Sequence, residues 1–203
     1  MSEERTAYNR TPPDFDEVTH TYALRGVRLP SVTEIIKAVL PVQYHGATEW
    51  HMDRGTVVHQ CAAMICRGIR FTHDPQIDGQ VQAVKTWLAM RKPEIVSVER
   101  LVWRDGPIPY AGTLDGLVML QGRLWLIDWK GSQSPWDQWQ LGGYADALAH
   151  EGIEVKHGMT VLISEDGKPK ESKPVDLRRA RNEWKSLLNV YQMMKREGIQ
   201  DAR

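Results

Sequence analysis

Asp115 and the triplet Asp128-Trp129-Lys130 are the residues of this chain best suited to chemistry. Residues two apart on a strand point to the same face, so Asp128 and Lys130 project together. The runs AGTLDGLVML (111–120) and RLWLIDWK (123–130) are β-type and are joined by Gln121-Gly122, a hairpin signal. Asp115 therefore lies on the neighbouring strand, within reach of Asp128. Two converging carboxylates repel unless a cation lies between them, and oxygen ligands favour Mg²⁺ or Mn²⁺. A lysine alongside orients a water or stabilises charge developing on a phosphate. The same residues are compatible with a plain strand-end salt bridge in which Lys130 neutralises Asp128.

Three further features flank this pair. In WQLGGYADAL, Gln140 and Tyr144 are four apart and share one face of the helix expected over 135–149. Gly142-Gly143 in mid-helix costs about 1 kcal/mol each relative to Ala, which the close approach of another backbone or a ligand would rationalise. In RGTVVHQCAAMI (54–65), His59 is one residue off the apolar seam of Val58, Cys61, Ala62 and Ile65. It points either along the edge of the core toward a metal or into an ordinary hydrogen bond. Glu99 lies on the run IVSVERLVW (95–103), expected to share a face with Leu101 and Trp103, and a buried glutamate there wants a cation or a donor.

The elements that must carry these residues are legible. HTYALRGVRLP (20–30) reads as two short strands turned at Arg25-Gly26. Ser31 caps a helix over Val32–Leu40 that Pro41 ends, with Glu34 at capping-box spacing. Further helices are expected over about 52–67, closed by Gly68, and over 76–91, with Ile77, Val81, Val84 and Leu88 on one face. The strands 95–103, 111–120 and 123–130 follow, then the helix 135–149 and a strand at 157–164. A last helix runs from the cap Asp176 to Glu197 and stops at Gly198. Helix, three strands, helix, strand predicts an α/β (α+β) fold with a mixed central sheet flanked by helices. Residues 1–19 read as a mostly extended arm and 20–203 as one domain.

Composition excludes several classes. The chain has 203 residues, 26% charged and 41% hydrophobic, with formal net charge zero, which argues against disorder. No apolar run reaches the length of a membrane span, and MSEERTAYNR lacks a signal-peptide core, so a cytoplasmic protein is expected. Cys61 and Cys66 are too few for a disulfide framework or a four-thiolate metal site.

The ordered set RGTVVH, a strand glutamate, GTLDG, IDWK and QxxxY resembles the PD-(D/E)XK nuclease superfamily. It is similar in particular to the RecB-type branch, which includes phage recombination exonucleases and CRISPR-associated adaptation nucleases. GVRLPSVTEIIKAVLP is also similar to the opening of many phage-encoded members, and the resemblance covers about residues 20–165. It implies a restriction-endonuclease-like core and a metal-dependent nuclease acting on DNA, most simply an exonuclease on linear ends. It implies that Asp115, Asp128 and His59, with the backbone carbonyl of Trp129, hold Mg²⁺ or Mn²⁺. Lys130 would position and polarise the attacking water. Glu99 would match the acidic residue of the first core strand, directly or through a water on the metal. Gln140 and Tyr144 would orient the lysine side of the site and contact the DNA strand. Helicase-linked and many CRISPR-associated relatives carry four cysteines around an iron–sulfur cluster; two cysteines imply none here, and the absence of a GxxxxGK[ST] loop implies no attached motor. A recombinase or single-strand annealing protein is the partner such an exonuclease suggests, and subunit number stays open.

DNA needs a track. On the C-terminal helix Arg178, Arg181, Lys185 and Arg196 fall on one narrow face, a basic stripe suited to a phosphate backbone or simply to solvent. Trp136 and Trp139 flank the expected site and are candidates for stacking on unpaired bases. Zero net charge conceals an asymmetry: residues 126–166 balance to −5 and residues 168–203 to +5. One rival reading is a catalytically silent DNA-binding or inhibitory member of the same fold, against which the intact Asp115, Asp128 and Lys130 argue; the other is a non-nuclease α/β domain whose acidic pair binds a structural cation.

Overall fold

The chain reverses at Arg25-Gly26, where φ is +54° and +78°, the left-handed pair that a two-residue hairpin requires. The structure, a computed structural model, describes residues 11–16, 19–40 and 49–199, with backbone alone for 49–54. The reversal joins β2 (Thr21–Leu24) to β3 (Val27–Leu29), and β1 (Asp14–Asp16) pairs with β2 to make a small antiparallel sheet. The described part of the expected arm is thus a strand docked on the hairpin. Residues 1–10 of that arm, and Pro41, lie outside the described residues.

Ser31 caps α1 (Val32–Val39) through a full capping box: Glu34 N–H donates to Ser31 Oγ (3.0 Å) and Ser31 N–H donates to Glu34 Oε2 (2.7 Å). α2 (Glu49–Cys66) starts three residues before the expected Met52. A 3₁₀ turn, Pro75–Ile77, leads into α3 (Asp78–Arg91). Then come β4 (Glu94–Arg104), β5 (Tyr110–Leu120), β6 (Arg123–Lys130), α4 (Asp137–His150) and β7 (His157–Ile163). Two strands unforeseen in the sequence, β8 (Pro169–Glu171) and β9 (Val175–Asp176), add to the edge of β7. At two or three residues they are too short to carry an alternating pattern. α5 (Leu177–Arg196) follows, with Asp176 Oδ1 accepting from the Arg178 and Arg179 amides.

The main sheet has the order β4-β5-β6-β7-β8, with β9 also on β7. β4, β5 and β6 are antiparallel neighbours, whereas β6 and β7 are parallel. A parallel pair needs a crossover, and α4 supplies it. The expected order of helix, three strands, helix and strand is what the chain forms, a mixed α/β sheet flanked by helices. One apolar layer packs the sheet against α1, α4 and α5 around Leu114, Leu126, Leu141 and Trp184. The other packs it against α2 and α3 around Val84, Trp87, Ile127 and Val161. Among the described residues no helix is long and apolar enough to cross a membrane.

Candidate active site

The site sits where β5 and β6 part. Their ladder runs from Leu120↔Arg123 to Gly116↔Ile127 and stops there. Beyond it β5 stays paired with β4 at Leu114 and Thr113, while β6 stays paired with β7 through Asp128↔Thr160 and Lys130↔Leu162. Asp115 and Asp128 are the first residues past the fork. β4 pairs Val98 with Gly116 and Arg100 with Leu114, which sets Glu99 opposite Asp115. Glu99, Asp115 and Asp128 therefore form one row across three strands.

Two local irregularities aim this row. Leu114 and Leu117 pack in the same apolar layer although strict alternation would separate them, with Asp115 between the two. Glu99 has φ +47°, in the left-handed region that a glutamate rarely enters. Alternation puts Glu99 on the face of Leu101 and Trp103, and Tyr22, which packs with both, lies close enough to feel the Glu99 charge. Leu101 and Trp103 pack against the β2–β3 hairpin, while Glu99 joins His59 and Asp115.

The opening at the fork lets helices on opposite faces of the sheet meet. From α2, His59 Nδ1 comes within 3.1 Å of Asp115 Oδ1. From within the sheet, the Trp129 amide donates to Asp115 Oδ2 (2.7 Å). The Trp129 amide thus touches an acidic residue of the row, on the same residue whose carbonyl is the expected ligand. From α4, Gln140 Nε2 donates to Asp128 Oδ1 (3.1 Å) and to Tyr144 Oη (3.0 Å), and Gln140 Oε1 accepts from Lys130 Nζ (2.9 Å). Turning the amide over would set its oxygen against the Asp128 carboxylate and its NH₂ against the lysine, so the network dictates its orientation.

Electrostatics follow this geometry. Burial opposes charge on His59, but the adjoining Asp115 charge and hydrogen bond raise it to about 9. Burial alone would raise Asp115; the His59 charge and bond, Lys130 and the Trp129 amide hold it below the usual carboxylate range. Burial raises Asp128, more than Lys130 offsets, and Asp115 adds to the rise. Burial, with Asp115 next, pushes Glu99 up to about 7. Lys130 stays protonated because Asp128 and Asp115 outweigh its own burial.

The residues suit a divalent cation. One ligand atom each from His59, Glu99 and Asp115 lie within 4.8 Å of one another. Asp128 Oδ2 is buried and has Lys130 Nζ at 3.0 Å as its charge partner, which leaves a second lone pair on that oxygen for a cation. The structure therefore groups His59 with Glu99 and Asp115, and sets Asp128 beside them on the lysine side. His59 and Asp115 of the expected set thus come together with Glu99, while Gln140 and Lys130 hold Asp128 next to them.

Gly142 and Gly143 have a packing explanation. A Cβ on Gly142 would lie 2.5 Å from the Ala180 carbonyl oxygen, and one on Gly143 would lie 2.9 Å from a Val32 methyl. These glycines let α5 and α1 close onto α4. The expected DNA contacts are more dispersed. Trp139 Nε1 donates to Glu183 (2.8 Å), and both Trp136 and Trp139 are half-buried against the α1/α4/α5 layer. Arg181 pairs with Glu154 (3.1 Å) and, with Lys185, lies 3.8 Å from the buried Asp146, while Arg178 is exposed. Asp146 also takes hydrogen bonds from Arg104 (2.9 Å) and Tyr110 (3.0 Å). Asp137, whose carboxylate caps the Ser134 amide (2.9 Å) and helps keep Lys130 charged, was not singled out in the sequence. An acidic residue opening a helix straight after the Asp-x-Lys strand was the available signal.

No family model matches the chain. Gene 69 protein of Mycobacterium phage D29 is 41% identical over 69 residues, which are 32% of this chain and 26% of that protein, so the match spans about a quarter of the relative's length. Among solved structures, LHK-Exo in complex with dAMP aligns over 84% of this chain and 89% of its own, at 12% identity and a TM-score of 0.47. The alkaline exonuclease LHK-Exo from Laribacter hongkongensis aligns over 84% and 93%, at 12% identity and a TM-score of 0.41.

Proposed function

We propose that the chain is a Mg²⁺- or Mn²⁺-dependent deoxyribonuclease of the PD-(D/E)XK type, an exonuclease acting on linear DNA in phage-type recombination, repair or processing. The row of Glu99, Asp115 and Asp128 at the fork, with His59 on one side and Lys130 on the other, carries the reading. A repelling carboxylate row is hard to justify without a cation, and a silent module has no use for one. His59, Glu99, Asp115 and Asp128 would hold the ion, which supplies charge neutralisation at the phosphate and Lewis acidity. Lys130, kept cationic by Asp128 and aimed by Gln140, orients the attacking water and stabilises charge on the phosphate oxygens. Water attacks phosphorus in line, the P–O3′ bond breaks, the departing oxygen takes a proton, and a 5′-phosphate and a 3′-hydroxyl remain. A cytoplasmic setting and a recombinase or annealing protein as partner complete the proposal.

The test is an end-labelled assay on linear and closed circular DNA with Mg²⁺, Mn²⁺ or chelator. Metal-dependent release of nucleotides from linear DNA, with the circle intact, is expected. Cleavage of the circle would sink the exonuclease reading. Thermal stabilisation by Mn²⁺ without cleavage of any nucleic acid would favour a non-nuclease α/β domain whose acidic pair binds a structural cation.

A further inference from the structure

We infer that Gly112 is a positioning residue for Lys130, acting through Tyr144 and Gln140; the inference rests on the nuclease reading above. Gly112 lies on β5, paired with Val102 and three residues before Asp115. A Cβ there would come 2.7 Å from Tyr144 Cε1 and 3.4 Å from Cδ1, with a Val32 methyl at 3.3 Å. Separations under 3.0 Å are not tolerated, and Tyr144 is an aromatic ring inside the packed layer of α1, α4 and α5, where it cannot swing aside freely. Only a residue without a Cβ therefore lets the ring lie flat on the strand. Nothing in the backbone of Gly112 asks for glycine otherwise: its φ is not in the left-handed region, and it sits inside a regular ladder where glycine weakens a strand.

The ring's place matters because of its hydroxyl. Tyr144 Oη is one of the two acceptors that engage the Gln140 NH₂, Asp128 Oδ1 being the other. With both engaged, the amide is locked and Gln140 Oε1 is held 2.9 Å from Lys130 Nζ. Displacing the ring removes one acceptor, frees the amide to rotate, and loosens the lysine that must meet the water. Gly112 thus touches neither metal ligands nor the lysine, yet it determines where the lysine's partner stands.

The experiment compares wild type, G112A, Y144L and G112A/Y144L in single-turnover cleavage of end-labelled linear DNA, alongside ¹⁵N NMR of the Gln140 side-chain amide, assigned by its loss in Gln140→Glu. G112A is expected to lower the maximal rate at least tenfold with DNA affinity within about twofold, and to remove the exchange protection of the Gln140 NH₂. In Y144L the obstructing ring is gone, so adding G112A should cost nothing more: the double variant cleaves at the rate of Y144L. In that pair the methyl meets no ring and keeps only the 3.3 Å approach to a Val32 methyl, so it stays a test where G112A alone does not fold. G116A, whose Cβ would meet Ile127 at an ordinary 3.5 Å, should keep the Gln140 protection. Additive losses in G112A/Y144L, or an unchanged Gln140 amide in folded G112A, would overturn the assignment. A wild type that cuts no DNA would defeat the nuclease reading instead, while the amide signals still report whether Gly112 holds Tyr144 and Gln140.

Discussion

His59 and Asp115 each gain their ionic form from the other, since both are pulled out of water and only mutual contact offsets that cost. Asp115→Asn should therefore act twice: it removes a charge from the cation site and leaves His59 without its partner. Cleavage is expected to fall by roughly 10²–10³-fold. Mn²⁺ should raise the Tm of wild type with increasing concentration but barely that of D115N, as measured by thermal shift with and without chelator. Equal Mn²⁺ stabilisation of the two proteins would place the ion elsewhere. Lys130→Ala is expected to abolish cleavage over a similar range while keeping the Mn²⁺ shift, because the lysine positions the water and does not ligate.

At the scale of elements, the site depends on how closely helices approach the sheet and each other. Gly142→Ala would gain about 1 kcal/mol of helix propensity but drive a methyl into the Ala180 backbone. The close contact with backbone, which cannot move independently, is expected to win by about 1–3 kcal/mol of net destabilisation, read as a lower urea midpoint at unchanged slope. On the opposite face, β8 is tied to α3 through Glu171, which accepts from Arg91 Nε (2.6 Å) and Trp87 Nε1 (2.7 Å). The Arg91 hydrogen bonds, ahead of opposing burial, hold this carboxyl below its usual value. A depressed carboxyl adds stability that is present above its unfolded pKa and is lost as pH falls through its folded one. The Tm advantage of wild type over E171Q should thus be full at pH 7 and shrink on acidification below about pH 4.5, the ordinary glutamate value. An advantage that stays constant down to pH 3 would contradict the ion-pair origin.

For the molecule as a whole, the basic stripe of α5 divides into two functions. Arg181 and Lys185 lean on Asp146 and Glu154 and so help clamp α5 to α4, whereas Arg178 projects from the first turn. Arg178→Ala is expected to lower the slope of log affinity against log salt for DNA by about one, with little change in Tm. Arg181→Ala should instead lower Tm, by leaving the buried Asp146 with fewer cations, and change the salt slope less. Filter binding across a salt series, paired with thermal melts, separates the two. The charge asymmetry counted along the chain is therefore partly spent inside the fold: basic residues of the C-terminal region neutralise Asp146 of α4 and Glu154 just beyond it.

The sequence by itself determined the element order, because hydrophobic periodicity, the Ser31–Glu34 capping box and the Arg25-Gly26 and Gln121-Gly122 turns are local signals. It also brought Asp115 beside Asp128, since hairpin register converts short separation in sequence into neighbourhood in space. It placed Glu99 on a strand but could not show its left-handed φ of +47°, which has no signature in composition. It did not reveal that Trp139, Arg181 and Lys185 are engaged by acidic partners 44, 27 to 35 and 39 residues away. Nor could it tell the packing glycines Gly142 and Gly143 from Gly112, which seats a tyrosine. Those distinctions depend on which surfaces meet across the sheet. Local signals specify what each segment becomes; only tertiary packing decides which neighbour each side chain meets.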